Sequence, residues 1–154
     1  MEGHIILMEY VNLKVSRNVM SNIIFKINEK IEIKTIKDLF FMSNYLPISN
    51  MNDDFRLQKM FDNANLVVSA WSENKLVGIA RSLCDFSYCC YLSDICVNKE
   101  FRHLNIGKRL IEITKEHAGK ECKIILHSSE DAFNFYHKIG MKRISEAFII
   151  QREY

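Results

Sequence analysis

Three apolar runs follow one another between residues 64 and 97: "ANLVVSAW" (64–71), "KLVGIARSL" (75–83) and "YCCYLSDICV" (88–97). Each is short, rich in β-branched residues and bounded by turn formers such as "SEN" and "DFS", so each predicts a strand. Connections this short admit antiparallel hairpins and exclude the long crossover that parallel neighbours require. The centre of the chain is thus committed to an antiparallel meander. The next stretch breaks the pattern. "IGKRLIEITKEHAG" carries apolar residues at 106, 110 and 113 and ends in Gly119, which predicts a helix with a glycine cap. "CKIILHS" (122–128) then predicts a buried strand reached by a crossover.

The flanks extend the order. "NIIFKI" (22–27) predicts a strand, and "EIKTIKDLFFMS" (32–43) sets Ile33, Ile36, Leu39 and Phe40 at helical spacing. Pro47 and "SNMNDD" force a break, after which Asp53 or Asp54 caps a short helix over "FRLQKMF". "EDAFNFYHKIG" (130–140) predicts a helix closed by Gly140, and "MKRISEAFIIQRE" (141–153) predicts two last strands. The fold class is mixed α/β (α+β), in the order β-α-α-β-β-β-α-β-α-β-β. With one proline, five glycines and no repeat or linker, residues 1–154 read as a single domain. Residues 1–21 fit this order poorly and read either as an extra strand or as an extended leader.

Composition removes several function classes. A formal charge of +2 lacks the basic stripe of a nucleic-acid binder. No apolar run approaches the length of a membrane span, and the N-terminus has no basic n-region, so neither a membrane anchor nor a secretion signal is expected. The five cysteines include no CxxC, and four of them sit in apolar, strand-like stretches, which suits free thiols in a reducing cytoplasm. The five histidines show no metal-ligand spacing, and no metal site is expected.

The strand–loop–helix junction "CVNKEFRHLNIGKRL" (96–110) concentrates polar and basic residues. The first N–H groups of a helix lack partners and carry partial positive charge, so a loop that turns further N–H groups inward there cradles an anion. Asn105 tolerates the left-handed conformation such a turn needs, Gly107 leaves room for a phosphate, and Arg102 and Lys108 add charge. The same spacing also fits an ordinary strand-to-helix turn with a capping Asn.

The stretch resembles the acyl-CoA-binding motif of the GCN5-related N-acetyltransferase (GNAT) family, R/Q-x-x-G-x-G/A, here Arg102, His103, Leu104, Asn105, Ile106 and Gly107. Asn105 stands at the first glycine position. "SSEDAFNFYHKIGMKRI" resembles the family's later motif, N-x-x-A-x-x-Φ-Y-x-x-x-G-F, with Ala132, Phe135, Tyr136 and Gly140 in register, Ser129 in place of Asn and Met141 in place of Phe. The resemblance covers residues 22 to 154. It implies a central, mostly antiparallel mixed sheet flanked by helices, whose strands "YLSDICV" and "KIILHS" splay into a wedge for acetyl-CoA.

It also implies direct transfer of the acetyl group from acetyl-CoA, the co-substrate, to a primary amine of a small molecule or peptide. Backbone groups at Ile95, Cys96 and Val97 would hold the pantetheine and the acetyl carbonyl. Amides from His103 to Lys108 would hold the pyrophosphate. Ser129, or Asn134 if the register shifts, would bond the CoA. Two proton transfers are needed, one off the attacking ammonium and one onto the leaving thiolate. Tyr136 matches the family's general acid; Asp94, on the central strand, is the candidate base. Cys96 has no assignable histidine partner and reads as a buried thiol rather than a nucleophile.

Phe40, Phe41, Tyr45, Met51, Phe55 and Phe61, with Asp53 and Asp54 nearby, would make an aromatic wall suited to a small cationic or aryl-alkyl amine. The same spacing suits plain core. An alternative reading is an acyl-CoA-binding sensor without chemistry. Family members often pair as homodimers through their late strands, and "AFIIQREY" offers an apolar edge for this.

Overall fold

The computed structural model describes residues 22–48 and 50–153. The uncertain segment 1–21 lies outside the described residues. Five strands form one sheet in chain order: β1 (Ile23–Ile27), β2 (Leu66–Ser72), β3 (Lys75–Cys84), β4 (Cys89–Val97) and β5 (Lys123–Ile125). Strands β1 to β4 are antiparallel neighbours, and β5 joins β4 in parallel after a crossover. The mixed, mostly antiparallel sheet expected from the sequence is therefore the one formed.

The hairpins have local causes. Glu73 (φ 48°) and Asn74 (φ 67°) both adopt left-handed backbone between paired Ser72 and Lys75, the two-residue turn that matches strand twist. At the next turn the Asp85 carboxylate accepts the N–H groups of Ser87, Tyr88 and Cys89 at 2.7–3.0 Å. These bonds, that of Tyr88 foremost, pull its pKa down to about 2.

Helices cover both faces. Helices α1 (Ile33–Ser43) and α2 (Asp54–Asp62) bury Ile36, Leu39, Phe40 and Leu57 against Val67, Leu76, Ile79 and Cys96. Asp53 is the residue that caps α2, its side chain accepting the Arg56 N–H at 2.9 Å. On the other face α3 (Ile106–Ala118) lays Ile106, Leu110 and Ile113 on Val68, Ala70, Val77 and Ala80. Its close approach depends on Gly78, where a Cβ would stand 3.1 Å from Ile106 and 3.2 Å from Leu110.

The last third departs from expectation. β5 spans three residues rather than seven, and the next helix is a 3-10 turn (Glu130–Ala132) running into α4 (Phe133–Lys138). Residues 141–153 form no strand. Their composition favours strands, but a strand needs a neighbour's edge, and the chain leaves β5 after Ile125. Phe148 is fully exposed as a result, as are Ile144, Ile149 and Ile150 in large part.

Candidate active site

Strands β4 and β5 pair only at Cys89–Lys123, Cys90–Ile124 and Tyr91–Ile125. Beyond Tyr91 the two part, leaving the β4 edge from Leu92 to Val97 without a strand neighbour on that side among the described residues. Ile95, Cys96 and Val97 lie on this open edge. Ile95 and Val97 turn toward the α3 face, and Cys96 is buried against α1 and α2, where burial pushes its thiol up to about 12. A thiol held protonated in that way is a poor nucleophile.

The edge leads into the basic loop. Asn98 is buried, and its side chain accepts the Glu100 N–H to start a 3-10 turn over Lys99–Phe101. His103 (φ 66°) and Asn105 (φ 59°) then take left-handed backbone, and Asn105 is the N-cap residue of α3. The expectation for Asn105 holds; the second left-handed residue, His103, had no sequence signal. Among the described residues no side chain caps α3, and its first turn holds no acid. The N–H groups at Ile106, Gly107 and Lys108 therefore face outward with the helix dipole behind them, the fit an anionic pyrophosphate requires.

Two residues of the loop make contacts beyond those expected. Arg102 does not stand free over the cradle: its guanidinium donates to the Ser43 carbonyl at 2.8 Å, tying the loop to the C-terminal end of α1. At Gly107 a Cβ would lie 3.2 Å from Phe135 Cζ. The small size of the glycine admits the α4 aromatic ring against the start of α3. Leu104 packs into the same core cluster as Phe135 and Tyr136, while Lys108 is exposed and pairs with Glu112 at 3.8 Å.

Tyr136 sits on α4, half-buried, its ring edge-on to Phe135 with centroids 5.1 Å apart. Burial raises its pKa above the ordinary value near 10, so the phenol stays protonated. Ser129 and Asn134 are exposed, and Ser129 opens the 3-10 turn with its carbonyl accepting the Ala132 N–H at 3.1 Å.

Asp94 occupies the opposite face of β4 from Tyr136. One residue of β4, Ser93, is extra to the β3 register, which runs Arg81–Asp94 and then Ser82–Leu92. This bulge sets Ser93 and Asp94 together over Arg81. Arg81 Nε donates to Asp94 Oδ2, Nη2 to Ser93 Oγ at 2.8 Å and Nη1 to the Met60 carbonyl at 3.1 Å. Tyr45 Oη donates to Asp94 Oδ1 at 2.6 Å. Both carboxylate oxygens are thus engaged, and at 4 % exposure Asp94 does not reach solvent.

Tyr45 is placed by the end of α1. Asn44 takes a left-handed conformation (φ 58°), its N–H and that of Tyr45 bond the Phe41 and Phe40 carbonyls, and Pro47 follows. The turn folds Tyr45 onto Phe40, with ring centroids 5.3 Å apart. The rest of the expected aromatic wall divides. Phe40 and Met51 are core, Phe61 underlies the Arg81 guanidinium at 5.6 Å, and Phe41 and Phe55 are exposed. Asp54 is bound by Lys37 at 2.6 Å.

Residues 46–151 match the model of the acetyltransferase (GNAT) domain. No curated protein is significantly similar in sequence. Among solved structures, a protein of Deinococcus radiodurans R1 superposes with a TM-score of 0.69 at 20% identity, over 86% of this chain and 90% of that one. A GNAT-family acetyltransferase of Streptococcus pneumoniae TIGR4 gives 0.66 at 17% identity (85% and 99% covered). An aminoglycoside N-acetyltransferase in complex with CoA gives 0.66 at 13% identity (86% and 95% covered).

Proposed function

The chain belongs to the GNAT acetyltransferase family, and on that premise we propose that it moves an acetyl group from acetyl-CoA directly to a primary amine of a small molecule or peptide. Acetyl-CoA-dependent acyl transfer is the family's activity. The observation that supports acetyl-CoA as the donor here is the junction of an open β4 edge with a helix N-terminus that no side chain caps among the described residues. The edge turns alternate backbone groups of the Ile95–Cys96–Val97 segment away from β3, toward the pantetheine and the acetyl carbonyl. The N–H groups from His103 to Lys108 hold the pyrophosphate, with Ser129 or Asn134 bonding the CoA from the α4 side. Tyr136 gives a proton to the leaving thiolate. Asp94 belongs to the amine side and acts from within its buried network.

An amine acceptor is supported by the solved structure of an aminoglycoside acetyltransferase with sisomicin, whose fold this chain shares. With Asp53 engaged as the α2 cap and Asp54 paired with Lys37, the case for a strongly cationic acceptor weakens, while exposed Phe41 and Phe55 suit an apolar or aryl portion. Five free thiols suit the cytoplasm. The unpaired apolar segment from Ile144 to Ile150 suits burial against a second copy.

The test is a thermal melt with and without acetyl-CoA. Ligand at 100 times its dissociation constant adds about 2.7 kcal/mol, a rise of roughly 5–10 °C for a domain of this size. Gly107→Val drives a branched side chain into Phe135 at the helix start, and the rise is expected to fall to less than half. No rise at millimolar acetyl-CoA would remove the donor site from this reading. An amine screen for thiol release then identifies the acceptor.

A further inference from the structure

We propose that Tyr45 is the catalytic group that takes the proton from the acceptor ammonium, relaying it to Asp94, with Arg81 as the positioning residue. The inference rests on the acetyl-transfer reading and adds to it the identity of the group the amine meets. Asp94 is nearly enclosed and both its oxygens are taken, Oδ2 by Arg81 Nε and Oδ1 by Tyr45 Oη at 2.6 Å. Of the two side chains bonded to the Asp94 carboxylate, Arg81 is buried and Tyr45 half-buried. A group arriving from the α1 and α2 side of β4 therefore meets the phenol before the carboxylate. The hydroxyl hydrogen points at Asp94, which leaves the phenolic oxygen as an acceptor for an N–H.

The arrangement has the rigidity a relay needs. The left-handed cap at Asn44, the Tyr45 N–H on the Phe40 carbonyl and the edge-on contact with Phe40 fix the ring. Arg81 spends its other nitrogens on Ser93 Oγ and the Met60 carbonyl, so the carboxylate is held by a guanidinium that is itself anchored at both ends. Asp94 neighbours Ile95 on the β4 segment that β5 leaves open, so the network stands behind the strand edge where the acetyl carbonyl is held.

Proton by proton, the step balances. The ammonium gives one proton to Tyr45 Oη as the hydroxyl proton of Tyr45 passes to Asp94 Oδ1, and the freed lone pair forms the N–C bond. When the C–S bond breaks, the nitrogen sheds its second proton, which replaces the one Tyr136 gives to the thiolate. The proton on Asp94 returns through Tyr45 to water. The titratable and charged groups bearing on Tyr45 are Asp94 and Cys96 of β4 and Arg81 of β3; burial, then Asp94, raises the pKa of the phenol, so it enters the step protonated.

Thiol release from acetyl-CoA is followed with tyramine, phenethylamine, spermidine and kanamycin, and the fastest amine is carried forward. Tyr45→Phe is expected to keep the acetyl-CoA-induced rise in melting temperature and to lose about 100-fold in kcat at pH 7. The loss should shrink tenfold per pH unit and vanish near the pKa of the amine, where the neutral base is supplied by solution. Asp94→Asn should show the same pH-dependent loss, and it decides the matter if Tyr45→Phe does not fold. A loss that is constant with pH, or no loss, overturns the relay while leaving acetyl transfer standing. No thiol release from wild-type protein with any amine overturns the acetyl-transfer reading, and the relay with it.

Discussion

Arg81→Met is expected to destabilise the protein by about 3–5 kcal/mol, because it strands the Asp94 carboxylate inside the sheet–helix interface without a counter-charge. Arg81 is 5 % exposed and Asp94 4 %. Removing the guanidinium also leaves Ser93 Oγ and the Met60 carbonyl without the donor that now serves them. At about 2–4 °C per kcal/mol for a chain of this length, the melting temperature should fall by roughly 10 °C. The double variant Arg81→Met, Asp94→Leu separates causes. If the cost is the stranded charge, replacing both partners by apolar groups returns most of the stability, since a buried ion pair gains little over hydrophobic packing. A single variant that melts within 2 °C of wild type would sink this account. So would a double variant less stable than the single one.

That network was invisible in the sequence, and the reason is geometric. Tyr45 and Asp94 are 49 residues apart, Arg81 and Asp94 13. What joins them is a bulge at Ser93, which shifts the register by one residue without leaving a mark in the alternation of side chains. What was legible was local. The β2–β3 and β3–β4 hairpins follow from short turns, and the left-handed Asn105 from the one residue type besides glycine that readily takes that conformation. The Asn44 cap, with Pro47 three residues on, was equally local and marks where Tyr45 turns back; it is the signal that a closer reading would have used.

The failures share a cause. "EAFIIQRE" has the composition of a strand, but pairing is a property of two segments, and β5 ends at Ile125 before it can offer an edge. Gly107 has a neighbour that its local sequence does not announce: a Cβ there would stand 3.2 Å from Phe135, 28 positions further along the chain. In each case a residue type was read correctly and its neighbour was not. The site inherits this division. The β4 edge and the α3 start, contiguous in sequence, were legible together; Tyr45 and Asp94 were legible as single candidates, but not the contact that α1, β3 and β4 assemble between them.

Tyr136→Phe is expected to lower kcat by about 100-fold or more, within the range that loss of a positioned general acid produces. It should leave the acetyl-CoA-induced melting shift unchanged. The ring stays, so the edge-on contact with Phe135 and the packing into the core beneath α3 are preserved; only the hydroxyl goes. The sign of the pKa shift fixes the pH profile. Burial raises the pKa of this phenol above its ordinary value, so its acid form prevails through neutral and mildly alkaline pH and is lost only as pH rises through the raised value. Wild-type kcat should therefore show no alkaline fall from this group up to about pH 9. The defect in Tyr136→Phe should persist undiminished over the same range, because raising pH does nothing to protonate a thiolate. This behaviour is the opposite of the Tyr45→Phe defect, which closes as pH rises toward the pKa of the amine. Two phenols on opposite faces of β4, one giving a proton and one taking it, are distinguished by that contrast alone. If both defects closed together with pH, Tyr136 would not be the acid. If Tyr136→Phe had no effect on kcat, the leaving thiolate would be protonated by solvent or by another group at the wedge, and Tyr136 would be a core residue.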